Sequence, residues 1–238
     1  MEYKASYKII ISVLIMTICA GLFWTTCFAQ KDAAPIAKKQ PETASGSADL
    51  IKSIWGDNKK VLMKGNVVFV HTDTTVKSDM VEYDQNSKIA VSPGKLSISN
   101  PECDIFADKG SVDFKNKTSF MENNVKLLVK PKESDNKSLP DINKPTTITC
   151  SKLEYKYKAK LAVLSGMVKF EQENRWITAN SAEYDINKEI LVLKGKIHGE
   201  DRDGQTFSAP EKVIISLKKG DEWMEAPNSK ATFKIDVE

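Results

Sequence analysis

The chain has 238 residues, 41% hydrophobic and 28% charged, with 35 basic against 32 acidic side chains and a net charge of +3. So balanced a charge argues against nucleic acid as a partner, because a dedicated nucleic-acid module carries a concentrated basic patch. The proportions suit one soluble domain of about 180 residues with extensions.

The first segment is set apart from the rest. Lys4 and Lys8 precede an apolar run from Ile9 to Ala29 that ends Cys27-Phe28-Ala29. A basic start, an apolar centre and small residues at −3 and −1 describe a secretory signal peptide over residues 1–29. The same uncharged run is also long enough to span a bilayer as a retained membrane anchor. Either reading places the domain beyond the cytoplasmic membrane. Neither Cys19 nor Cys27 has the small-residue context of a lipidated cysteine. Residues 30–49 are rich in Ala, Lys, Pro and Ser without a period, and read as a flexible linker ahead of a domain spanning 50–238.

Within that domain a motif returns every 29 or 30 residues. The segments KSDMVEYD (77–84), FADKGSVDF (106–114), TCSKLEY (149–155), TANSAEYD (178–185) and FSAPEKVII (207–215) align on Asp79, Asp108, Ser151, Asn180 and Pro210, with gaps of 29, 43, 29 and 30. The long gap carries 14 extra residues within the polar, proline-containing stretch 131–146, which reads as an inserted loop. A second series, Gly65, Gly94, Asn123, Gly166 and Gly195, runs half a period out of phase, and each member opens an alternating run such as GNVVF or GMVKF. Each unit therefore holds two short strands, and such a period means one unit stacked on copies of itself. The fold class is all-β. Periodicity leaves open whether the stack is an antiparallel roll or a parallel helix.

Alternation assigns the faces, since strand side chains point to opposite sides with a period of two. After each glycine position, +2 and +4 are apolar: Val67 and Phe69, Leu96 and Ile98, Val125 and Leu127, Val168 and Phe170, then Ile197. Met63, Met121, Leu164 and Leu193 stand two positions before it. These residues form the expected interior and the candidate apolar binding surface, while the +3 positions (Val68, Ser97, Lys126, Lys169, His198) face water. In the other strand the apolar sites are −1 and −3 before the reference residue but +2 and +4 after it. That parity change predicts a bulge or bend at the reference position.

Outside the segment 1–29 two cysteines remain, Cys103 and Cys150. A regular stack separates them along the strand, so they read as small buried residues, although an exported pair always raises a disulfide. His71 and His198 stand alone, with no HxxxH, CxxC or paired-carboxylate spacing, so no metal site is expected. The recurring Asp79, Glu82, Asp84, Asp108, Asp113, Glu154, Glu183 and Asp185 could line a glycan-cleaving groove. Their recurrence is equally that of turn and edge residues in a repeated unit. Tyr83, Tyr155 and Tyr184 could stack on sugars, yet they fall on the apolar face. With no phosphate loop and no nucleophile-and-base grouping, the chain reads as a non-catalytic binding protein without a cofactor.

The segments GNVVFVHTDTTVKSDMVEYD and ITANSAEYDINKEILVLKGKI resemble the OstA-like repeat of the bacterial lipopolysaccharide-transport proteins. The resemblance covers roughly residues 55–215. Departures are the 131–146 insertion, Asn123 in place of a glycine and Pro210 in place of an acidic residue. It implies a twisted β-jelly roll, open at both ends, holding lipopolysaccharide acyl chains between its walls. It also implies a periplasmic location, and end-to-end joining with further copies and with related domains of the system's inner- and outer-membrane components. Two members fit, the soluble periplasmic carrier and the inner-membrane-anchored component. A polysaccharide-binding β-solenoid and a purely structural stack are the alternatives outside that family.

Overall fold

The structure is a computed structural model that describes residues 44–71, 73–131, 145–218, 221, 223–232 and 234. The segment 1–29, most of the expected linker and the centre of the inserted loop lie outside the described residues. No helix occurs among them, and eighteen strands join in one antiparallel sheet.

The sheet is a meander of bent passes. Six passes are unbroken: β3 (Lys60–His71), β4 (Thr74–Asp84), β9 (Thr118–Val129), β10 (Thr146–Lys156), β11 (Leu161–Gln172) and β12 (Arg175–Asp185). The others are split at the bend into β1 (Ala44–Ser47) and β2 (Leu50–Ile54), β5 (Ile89–Ser92) and β6 (Leu96–Ser99), β7 (Cys103–Ala107) and β8 (Lys109–Asp113). The same holds for β13 (Ile190–Lys194) and β14 (Ile197–Glu200), β15 (Thr206–Ala209) and β16 (Lys212–Ser216), β17 (Trp223–Glu225) and β18 (Lys230–Thr232). Consecutive passes pair antiparallel, as β9 does with β10, β10 with β11 and β11 with β12. The arrangement is the antiparallel roll, and the unit is two long bent passes with two turns, not two short strands. β1 pairs with the far half of β3, so ordered strand begins inside the stretch expected as linker.

Each bend has a local cause. Register shifts between Lys64 and Val67 in β3, Cys150 and Lys152 in β10, and Ser165 and Val168 in β11. At the glycine series two consecutive residues turn left-handed: Gly65 and Asn66 (φ 70° and 45°), Asn123 and Asn124 (63° and 50°), Gly166 and Met167 (79° and 52°), Gly195 and Lys196 (70° and 50°). Such a pair redirects a strand. The reference residue of the preceding pass lies against it. The amides of Asp108 and Asn180 donate to the carbonyls of Asn123 and Gly195 at 3.0 and 2.9 Å, and Ser151 Oγ donates to that of Gly166 at 3.0 Å. Asp49 meets Gly65 in the same way, at 2.9 Å, which extends the reference series one unit towards the N-terminus.

The bends divide the sheet into two halves whose apolar faces share one core cluster running from Cys103 to Leu217. The result is a wedge closed along the bends. Its two free rims are the rows of turns. The first rim joins passes at 55–59, 85–88, 114–117, 157–160 and 186–189; the second joins them at 100–102, 173–174 and 201–205. Turns of the first rim interlock, because the amides of Phe114, Tyr157 and Ile186 donate to the carbonyls of Lys88, Lys117 and Lys160 in the turn before, at 3.1, 2.9 and 3.0 Å.

Candidate functional site

The candidate site is the inner surface of the wedge. Cross-strand register carries one apolar row through Phe69, Val76, Ile98, Ile105, Leu127, Ile148, Phe170 and Ile177 on one half-sheet. On the other, Met121, Leu153, Leu164, Ala182, Leu193 and Val213 form a matching row. Met63, Val67, Met121, Val125, Leu127, Leu164, Val168, Phe170, Leu193 and Ile197 are buried, while Phe69, Leu96 and Ile98 are half-buried. The ten buried residues thus lie on the face that alternation expects, and Phe69 and Ile98 share the register row of Leu127 and Phe170.

Burial is graded along the stack. From β7 to β16 the wedge is packed shut: Leu127, Val168 and Leu193 have no exposure, and Phe170 is 7% exposed. Towards β1 it opens. Val76, Val81, Leu96 and Ile98 are half-buried, and Ile51, opposite Met63, is 53% exposed. Ile51 lies on the outermost pass, which pairs with β3 alone and so lacks a neighbour on its other side, while Met63 and Val67 of β3 stay buried. Val76 and Ile51 were not among the expected binding residues. They occupy the −3 and +2 positions of the reference series, Ile51 once Asp49 is admitted as its first member, so the repeat itself contained the signal.

The recurring carboxylates do structural work on separate passes. Lys60 pairs with Glu82 at 2.6 Å, Lys194 with Glu183 at 2.6 Å, and Glu122 with Lys109 and Lys152 at 3.0 and 3.3 Å. Asp84 Oδ1 accepts from the amides of Asn86 and Ser87 at 2.8 and 3.0 Å, Asp113 Oδ1 from that of Asn116 at 2.8 Å, and Asp185 Oδ1 from that of Lys188 at 3.1 Å. The Ser87 and Asn86 amides hold the Asp84 carboxyl below its ordinary range, as the Asn116 amide does for Asp113. Tyr155 and Tyr184 are buried in the core, and Tyr83 meets Phe114 edge-on at 5.8 Å, so the three do not form a ladder for sugar stacking. His198 is exposed and packs against Trp176 at 5.2 Å.

Cys103 and Cys150 are buried free thiols. They flank β9 on opposite sides, opposite Val129 and Val125 respectively. Two strand spacings and four residues of offset put them about 16 Å apart, beyond the reach of a disulfide. Burial pushes both thiols up to about 11 from an ordinary value of 9.0. Iodoacetamide near pH 8 should therefore leave both unmodified in the native protein and modify both in denaturant. Because the folded state holds the protonated form, this stability is complete below pH 9 and drains away as pH rises towards 11. A unit alkylated natively at pH 8 would show that the core opens there.

No protein-family model matches the chain, and no curated protein matches its sequence. Among solved structures, the crystal structure of LptH, the LptA-homologous periplasmic component of the lipopolysaccharide transport device of Pseudomonas aeruginosa, aligns over 64% of this chain and 82% of that one, at 16% identity and a TM-score of 0.29.

Proposed function

We propose that this chain is a periplasmic lipopolysaccharide-binding transport protein, in which the open end of the wedge shields acyl chains and the edge strands join neighbouring domains. The observation that carries the reading is the continuous apolar inner face, closed over β7–β16 and only partly covered towards β1. The OstA-like pattern of the repeat points to the same ligand class. Burying one acyl chain of about 12 carbons is worth up to ~9 kcal/mol, at about 0.8 kcal/mol per methylene. Exposed ion pairs add about 0–1 kcal/mol each, so the apolar contact dominates affinity.

Among the described residues, β1 and β2 pair only with β3, and β17 and β18 only with β16 and β15. Each end therefore offers unpaired backbone for β-augmentation by a second copy or by related domains of inner- and outer-membrane components. Contacts of that kind do not close on themselves and would build a bridge. The apolar run 9–29 serves export as a signal peptide in an LptA-like carrier, or tethering in an LptC-like anchored component. Energy for directional movement comes from elsewhere in such a system.

The test is photocrosslinking with benzoyl-phenylalanine at position 69, inside the open end, against position 68 on the outer face, in a Gram-negative host. Lipopolysaccharide adducts are expected at 69 and not at 68. Adducts at neither site, or at both equally, would sink the carrier reading and leave a packed structural stack.

A further inference from the structure

The last pass is broken more widely than any other split pass, with four residues, 226–229, between β17 and β18. One of them is Pro227, which has no N–H to give a ladder. β18 pairs with β15 only up to Ser208, and β17 pairs with β16 only from Ile214. Residues 209–213 therefore lack a strand partner on that side, and a hollow of about 480 Å³ opens beside them.

Five polar side chains border the hollow: Lys196, His198, Ser208, Asn228 and Lys230. Cross-strand register brings three of them together. Ser208 stands opposite His198 on one side and opposite Lys230 on the other, and side chains paired in this way are about 5 Å apart. Lys196, two residues before His198, is exposed as His198 is. Asn228 borders the hollow from the break, with a left-handed φ of 54°.

Two observations set this place apart from the ordinary lysine-bearing surface. None of the five side chains has a hydrogen bond or an ion pair with a described residue. No carboxylate borders the hollow, whose remaining walls include Ile197 and Ala209. The set is also not a product of the repeat, because Lys196 and His198 align with Met167 and Lys169 one unit earlier. Two ammonium groups, an imidazole, a hydroxyl and an amide thus converge with no acceptor of the protein engaging them. That is the complement of a tetrahedral oxyanion, whose oxygens accept several bonds at once. We propose that this hollow binds a phosphate group through Lys196, His198, Ser208, Asn228 and Lys230. It lies on the outer face of the sheet, so the inference stands apart from the carrier reading.

Binding by the full chain is measured at low salt with two probes, inorganic phosphate and glucosamine 1-phosphate, followed by the histidine ring resonances. Titration should shift His198 saturably and leave His71 unmoved. Lys196→Asn together with Lys230→Gln should weaken binding about tenfold. Asparagine already holds the corresponding left-handed position at Asn66 and Asn124, so the bend should survive the change. Lys126→Gln together with Lys169→Gln, on the same face but outside the hollow, should alter nothing. Tighter binding of glucosamine 1-phosphate assigns the site to a phosphorylated sugar and equal binding assigns it to free phosphate; both support the proposal. Absence of saturable binding of either probe, undiminished binding by the Lys196 and Lys230 double variant, or equal weakening by both double variants overturns it.

Discussion

Gly166→Val should unfold the roll under conditions where the native chain is fully folded. Gly166 sits at φ +79° at the bend of β11, and a Cβ there would stand 2.5 Å from both Cβ and Oγ of Ser151. Ser151 cannot withdraw freely, because its Oγ donates to the Gly166 carbonyl and it lies at the register shift of β10. A left-handed backbone costs an ordinary residue about 1–2 kcal/mol, and a β-branched one more. The collision adds overpacking of about 1–3 kcal/mol. A total on the order of 4 kcal/mol is a large share of the roughly 5–15 kcal/mol that holds a domain together. Gly94→Ala is the control. Gly94 aligns with Gly166 in the repeat, yet it has no positive φ and an added Cβ meets nothing within 4 Å. Alanine there should be neutral or stabilise by about 0.4–1 kcal/mol. Urea unfolding of both variants reads the difference; equal midpoints would show that the bends tolerate a side chain.

Phe170→Asp should also unfold the chain, and its loss of lipid capture would therefore say nothing about a binding groove. Phe170 lies in the closed part of the wedge between Ile148 and Ile177. Removing a buried phenylalanine costs about 3–5 kcal/mol, and an unpaired buried carboxylate adds a further penalty that is smaller only when it is protonated. Stability of this variant should hence recover partly as pH falls, a direction no surface aspartate would show. Ile98→Asp is the informative partner. Ile98 is half-buried at the open end beside Val76 and Ile105, so its carboxylate can reach water and the fold should survive. Capture of lipopolysaccharide by folded Ile98→Asp should fall at least tenfold. Undiminished capture would place the ligand elsewhere.

The contrast between positions 98 and 170 marks the limit of pattern reading. Both residues occupy the +4 position of their units, and alternation treats them alike. Their difference lies in tertiary cover: Phe170 is buried within the packed stretch and Ile98 is half-buried, although both are paired on either side. Gly94 and Gly166 differ for a related reason. A repeat alignment records that a bend is needed, while the backbone at Gly94, after Pro93, bends without left-handed residues.

The sequence by itself determined the period, the alternation of the two faces and the parity change at the reference position. All of these follow from the alternation of side chains along one strand, which is a local property. The tertiary structure alone decided how the bent passes stack into a wedge that is closed over β7–β16 and only partly covered towards β1. Those features depend on which distant passes become neighbours, and burial is a sum over neighbours that no single repeat contains.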